Sequence, residues 1–418
     1  MMRRTIFAIT ESFEKWQDKT THVIDWRTIE WTHTCQLVLT HESQMRVYQC
    51  IHKYAPHIPA FEKRWGIGGH SSFSEIHNAI LSDGYASVYR LMPPPEHPDA
   101  RVFFTLWNYE RLQHAWAKEQ GLQTTDLDEI RLVQIKYFEP DVVYDFSSFV
   151  SPGFAARLRK QFAGKILAWN GFVKEFEPPV DTAYDGYLSL HRPFVESWKR
   201  RGYRALELQP GVDPEWAEIE PRGFRDREDD LILYGQIGSL FGKRLELVNQ
   251  VAESAPSEGY GFKCYAYAPK RYYRPGASLA RMGIHVPFLV KWPGKRLRKV
   301  LNKPVYGTEL VAAIRDAKLV LNSFGDLNVS FQSNMRIFEA IGNGTPLLSP
   351  RGVYPEGLTE GLDFFPYSSV DDIAQTSKYL LSEPDAALEF AIQAKDRIFV
   401  NFSKARQYSR FANFVAHL

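Results

Sequence analysis

An arginine and a glutamate three residues apart, Arg336 and Glu339, stand within Ser333–Leu348, where a helix-forming run meets a Gly342-Asn343-Gly344 stop and then apolar residues. The pattern predicts a short helix capped by Ser333 or Asn334, followed by a buried strand. The first turn of such a helix offers N–H groups without helical partners and the positive end of the helix dipole, which together suit a diphosphate. Glu339 lies more than a turn further in, where a carboxylate can accept two hydrogen bonds from a sugar diol. A site for a nucleotide sugar needs both features. Taken alone, Glu339 has a plainer alternative as an exposed acid paired with Arg336 on one helix face.

A second segment, Gly235–Arg244, carries glycines at 235, 238 and 242, with Lys243 and Arg244 at a predicted helix start. Gly238 and its neighbours allow an anion close to the backbone, and the two cations supply charge. The segment is not a P-loop, because Gly238 to Gly242 is one residue short and Arg244 replaces the required Ser or Thr. It also lacks the G-x-G-x-x-G fingerprint of dinucleotide sites. A third segment, Asn322-Ser323, closes a predicted strand. For activating a hydroxyl, Asp145 and His191 follow predicted strands 140–144 and 184–190, and either serves equally well as a satisfied structural residue. Glu42 is a weaker candidate. Asp126-Leu127-Asp128 spells a metal-binding D-x-D, but its position at a helix start is explained by capping and dipole matching. The histidines lack H-x-x-x-H spacing and no G-x-S-x-G elbow occurs, so neither zinc nor a common hydrolase site is expected.

These residues need a scaffold. Residues 1–33 show no clear period, Cys35–Thr40 reads as a strand, and 45–120 reads as largely helical, with Pro93-Pro94-Pro95 in a loop. From 127 onward strands and helices alternate: helix 127–138, strand 140–145, helix 152–162, strands 165–169 and 184–190, helix 192–201, strand 204–208. Pro210–Glu215 and the charged run Arg222–Asp230 read as a linker. A second alternating series follows: strand 231–235, helix 241–253, strand 262–267, helix 308–316, strand 318–322, the Arg336–Glu339 motif, and helices 370–382, 384–398 and 403–417. Such alternation predicts an α/β protein of two doubly wound parallel sheets, with ligands at the strands' carboxyl ends in the cleft between them.

The 418 residues accommodate two domains, expected at 1–217 and 218–402, with 403–418 as a closing helix packed back towards the first. A net charge of +2 points to no polyanion and hence no specific nucleic acid. Three scattered cysteines and the absence of an 18-residue apolar run lead us to expect a cytoplasmic protein. The basic run Lys291–Lys299 suits a solvated loop, or peripheral contact with anionic head groups at the inner face of a membrane or with a phosphorylated acceptor. Ten Trp, 21 Tyr and 28 Phe exceed ordinary usage; most belong in cores, but ring faces also stack on pyranose C–H faces.

Taken together, Pro304–Leu310, Ala317–Asn322, Asn334–Ala340 with Gly344-Thr345-Pro346, Glu356–Phe364 and Ser403–Arg406 resemble the C-terminal domain of GT-B glycosyltransferases, closest to the CgeB-like, glycosyl transferases group 1 type. The N-terminal half matches more loosely. The resemblance implies two Rossmann-like domains facing across a cleft, and metal-independent transfer of sugar from a nucleotide-sugar donor to a glycan, lipid-linked glycan or other glycoconjugate. It implies no cofactor beyond the donor itself. Glu339 matches the glutamate that binds the donor ribose, and Arg244 or Lys243 the cation near the diphosphate. Gly238, Tyr306, Asn322, Asn334 and Arg336 complete the expected donor site. Many retaining members carry a second glutamate eight residues before the ribose glutamate, and here that place is Phe331. A nucleotide-sugar epimerase and a non-catalytic nucleotide- or sugar-binding protein are the alternatives on this scaffold.

Overall fold

Short runs of apolar residues buried on both faces build two sheets in the computed structural model, which describes residues 44–148, 150–171, 183–237, 242–267, 293–324 and 331–418. The first sheet contains β1 (Arg46–Ile51), β2 (Arg101–Leu106), β3 (Val142–Asp145), β4 (Lys165–Trp169), β5 (Gly186–Ser189) and β6 (Ala205–Glu207). Their order is β2-β1-β3-β4-β5-β6, and every pairing is parallel. The second contains β7 (Asp229–Gln236), β8 (Phe262–Tyr267), β9 (Leu301–Asn302), β10 (Ala317–Leu321), β11 (Leu347–Pro350) and β12 (Phe365–Tyr367). Its order is β12-β11-β10-β7-β8-β9, again parallel throughout.

The helices are α1 (Ile58–Trp65), α2 (Phe73–Asp83), α3 (Glu110–Glu119), α4 (Leu127–Phe138), α5 (Pro152–Arg159) and α6 (Arg192–Arg200) around the first sheet. Around the second are α7 (Gly242–Ser254), α8 (Lys295–Val300), α9 (Thr308–Asp316), α10 (Met335–Gly342), α11 (Val370–Ser382) and α12 (Pro384–Asn401), followed by α13 (Lys404–Ala416). Local chemistry sets their ends. Ser72 and Glu75 form a reciprocal capping box at α2, as Ser369 and Asp372 do at α11. In α6, Phe194, Val195 and Trp198 are buried while Arg192, Lys199 and Arg200 stay outside.

The expectation of a largely helical 45–120 is corrected. Three helices lie there, but so do β1, which pairs with both β2 and β3, and β2 itself. Polar residues inside both strands disguised them. Gln49 and Thr105 are fully buried, Gln49 bonding the Tyr89 carbonyl and the Leu91 N–H and Thr105 accepting from Gln113. The expected strand Cys35–Thr40 and the irregular first 33 residues lie outside the described residues.

Residues 42–418 cluster as one compact unit. Helix α13 sends Tyr408, Phe411, Ala412 and Val415 into the core that also holds Val47, Tyr144 and Leu167 of the first sheet. Gln407 donates to the carbonyls of Val88 and Gln209, and Lys404 to those of Ser87 and Arg90. Val212 bridges to Ser403, so the two chain crossings between the sheets run side by side.

Candidate active site

Each sheet order contains a point where the chain reverses its direction of strand addition: β1/β3 in the first, β7/β10 in the second. In open α/β sheets the carboxyl ends at such points form a crevice. Both crevices open here on one cavity of about 420 Å³ between the sheets. Ile51, His52 and Phe146 line it from the first switch point, and Tyr234, Gly235 and Gln236 from the second.

The second wall is built on α10. Glu339 lines the cavity yet is only 7% exposed, and Tyr234 donates a 3.0 Å hydrogen bond to its Oε2. Burial pushes its carboxyl up to about 7, against the opposing pull of the Tyr234 hydroxyl and the Arg336 charge. Among the described residues, no ion pair joins it to Arg336, so the exposed Arg336–Glu339 pair does not form. Arg336 instead donates from Nε to the Tyr234 carbonyl (2.8 Å) and from one terminal nitrogen to Asn322 Oδ1 (2.9 Å) and the Ser323 carbonyl (2.7 Å). Arg244 donates to the carbonyls of Gln236 (2.8 Å) and Ser323 (2.9 Å). Two buried guanidiniums thus fasten β7 to the segment after β10 where the sheet parts. Gly235 makes room: its φ is +129°, and a Cβ there would lie 2.9 Å from the Arg336 guanidinium.

The expected cap at α10 is corrected as well. Ser333 donates to Gln209 Oε1 (2.6 Å), and Asn334 donates to Asn322 Oδ1 (2.9 Å), so neither side chain caps the helix. Asn334 Oδ1 is buried without a hydrogen-bond partner among the described residues. Ser333, Asn334, Met335 and Arg336 all line the cavity, which places the helix start against it.

Tyr306 lines the cavity near Tyr54 of the first half, their ring centroids 5.5 Å apart. Asn322 is fully buried, lies outside the lining, and accepts hydrogen bonds from Asn334 and Arg336. Lys243 lies in the first turn of α7, outside the lining, and Gly238 and Glu42 lie outside the described residues.

Of the two candidate bases, only His191 reaches the cavity. It is 5% exposed, burial lowers its imidazole to about 4, and Nδ1 has no hydrogen-bond partner among the described residues. Asp145 is corrected to a structural role. It is fully buried, 3.6 Å from Arg131, and accepts from the Tyr184 hydroxyl (2.8 Å) and the Ser147 N–H (2.7 Å). In the D-x-D segment, Asp126 caps α4 through the Glu129 N–H, and Asp128 pairs with Arg131. Sequence reasoning missed Tyr234, Tyr89, Phe146 and Trp169. Each sits in or beside a strand or short helix where spacing alone marks it as core.

Residues 246–413 match the model of a family described as glycosyl transferase-like. No curated protein matches the chain. Among solved structures it is similar to Anabaena Alr3699/HepE in complex with UDP-glucose, with a TM-score of 0.50 at 11% identity over 90% of this chain and 100% of that one. It is similar to Thermosynechococcus elongatus sucrose-phosphate synthase at a TM-score of 0.48 and 13% identity, over 90% and 99% of the two chains. Against S. aureus TarM with UDP bound, the TM-score is 0.49 at 14% identity, over 69% of this chain and only 59% of that one. The two parallel sheets facing one cavity are the GT-B fold.

Proposed function

We propose that this chain is a metal-independent glycosyltransferase of the CgeB-like group, moving sugar from a nucleotide-sugar donor to a hydroxyl of a glycan, lipid-linked glycan or other glycoconjugate. The observation that carries the reading is the single cavity onto which both switch points open, with Glu339 and two buried arginines on one wall and His191 on the other. Within residues 42–418, the stretch up to 217 forms the acceptor domain, 218–402 the donor domain, and 403–418 the returning helix. Breaking the anomeric C–O bond builds negative charge on the departing diphosphate. The first-turn N–H groups of α10 and the charges of Arg244 and Arg336 stabilise it without a metal ion. Glu339 accepts from the ribose diol. His191, neutral at physiological pH, takes the proton of the attacking hydroxyl. Phe331 is 3% exposed and lines the cavity, so groups other than a second glutamate hold the donor sugar.

Among the described residues no helix is long and apolar enough to cross a membrane. Lys295, Arg296, Arg298 and Lys299 of α8 are exposed around buried Leu297, a surface suited to anionic head groups at the inner face of a membrane. Lys291 and Trp292 of that run lie outside the described residues.

A thermal-shift screen with UDP-, GDP-, dTDP- and CMP-sugars tests the reading. A true donor at a hundred times its dissociation constant stabilises the protein by about 2.7 kcal/mol, and Glu339→Ala weakens that binding. Silence from every nucleotide, or loss of activity in chelator that Mn²⁺ restores, overturns it. Donor turnover to a new sugar isomer without acceptor would identify an epimerase instead.

A further inference from the structure

The wall facing Glu339 has a character that the proposed reaction does not by itself require. Phe146 and Trp169 stack at 5.1 Å with their planes 27° apart, and Tyr89 stands 5.4 Å from Trp169 at 60°. All three line the cavity beside His191, together with Ile51 and Leu190. Among the described lining residues of this half there is no Asp, Glu, Lys or Arg. Its two imidazoles, His52 and His191, are both held neutral by burial. The charged lining groups, Arg244, Arg336 and Glu339, all belong to the opposite wall.

A carboxylate or phosphate laid on the Phe146–Trp169 part of this wall loses its water and meets no cation among the described lining residues there; of the three rings, Tyr89 feels the Arg336 and Glu339 charges of the opposite wall. A protonated amine laid on the same part loses its water and meets no anion among the described lining residues of that wall. Either burial is costly without a partner. A neutral pyranose loses little, because its C–H face lies against rings while its hydroxyls turn to the polar edge at His191 and the cavity mouth.

We propose that the acceptor subsite takes an uncharged sugar, bound by its apolar ring face on the Tyr89–Phe146–Trp169 panel. The acceptor role rests on the transferase reading, but the neutral-sugar site stands on the panel itself. The panel therefore selects against uronic acids, phosphorylated polyols and sugars bearing a free amine at the position next to the donor.

The test is calorimetric titration of the full chain with phenyl β-glucoside and phenyl β-galactoside, each beside its uronide twin, which differs only by a carboxylate at C6. At least one neutral glycoside should bind at least about tenfold more tightly than its twin, and Trp169→Leu or Phe146→Leu should weaken it by about tenfold. Far-UV melting of each variant confirms that it is folded. Equal or tighter uronide binding, binding unaffected by both substitutions, or no binding of either neutral glycoside overturns the proposal. Nucleotide titrations of the same wild-type protein separate the two claims. Glycoside binding without any nucleotide binding removes the transferase reading and leaves the sugar site, and the converse does the reverse.

Discussion

Replacing Glu339 by glutamine asks whether a carboxylate has been buried beside the cavity against its preference for water. Its carboxyl sits at about 7, against 4.5 for the ordinary group, and burial is the largest cause. The folded protein therefore holds this proton between pH 4.5 and 7 while the unfolded chain has released it. Bound protons in excess in the folded state mean that stability falls as pH rises through that window, and is flat above it. The difference of 2.5 units, at about 1.36 kcal/mol each, amounts to roughly 3 kcal/mol lost by pH 8. Glutamine keeps the shape and an acceptor for Tyr234 but cannot ionise. Glu339→Gln should match wild type within about 1 kcal/mol at pH 4.5 and exceed it by roughly 3 kcal/mol at pH 8. Urea unfolding of the ligand-free protein at half-unit pH steps measures this. The same charge has the opposite effect on binding, because the ionised carboxylate accepts from a ribose diol. Wild-type affinity for nucleotide should fall about tenfold per pH unit below 7, while the glutamine variant stays flat. A stability difference that is constant from pH 4.5 to 8 would refute the burial argument, and a nucleotide affinity that ignores pH would refute the assignment to ribose.

Three further outcomes are expected. Tyr234→Phe removes the hydroxyl that favours the ionised carboxylate, so the midpoint of the nucleotide-affinity profile should move to higher pH. Gly235→Ala forces a side chain into a φ of +129° and into the Arg336 guanidinium, and should cost about 1–3 kcal/mol by urea unfolding while weakening nucleotide binding. His191→Gln should lower kcat by about two to four orders of magnitude and leave nucleotide affinity unchanged. Because His191 is deprotonated above pH 4, any acid limb near pH 7 in the rate profile should belong to Glu339, and should vanish in Glu339→Gln.

Much of the scaffold was legible because its signals were local. The strand Phe262–Tyr267 and the helices Leu127–Phe138, Thr308–Asp316 and Val370–Ser382 have the expected bounds. The strand alternates buried with more exposed residues, Asp126 and Ser369 cap two of the helices, and Thr308–Asp316 is amphipathic, so each state is decided within a few residues. What escaped depended on distant partners. Gln49 and Thr105 look like solvent-facing positions until Tyr89, Leu91 and Gln113 are brought to them. Ser333 and Asn334 read as caps, but Gln209 and Asn322 claim them. Asp145 turned on the parity of one strand. Val143 and Asp145 share the face towards Cys50 and Tyr184, whereas Tyr144 points to the other, and the cavity begins only at Phe146. A glutamate whose charge is opposed by burial also left no mark in its own sequence, since Tyr234 comes from 105 residues away.

The return of α13 to the first sheet has a consequence for biosynthesis. All six strands of that sheet have been made by Glu207, but its core also needs Tyr408, Phe411, Ala412 and Val415. At about 5–20 residues per second, the ribosome takes roughly 10–40 s to supply them. During that interval α1, α2 and α3 cover part of the nascent core but the part that α13 will fill stays open, while the second sheet is made. The half translated first is therefore the half completed last, and the open part of its core is what chaperones have most time to meet.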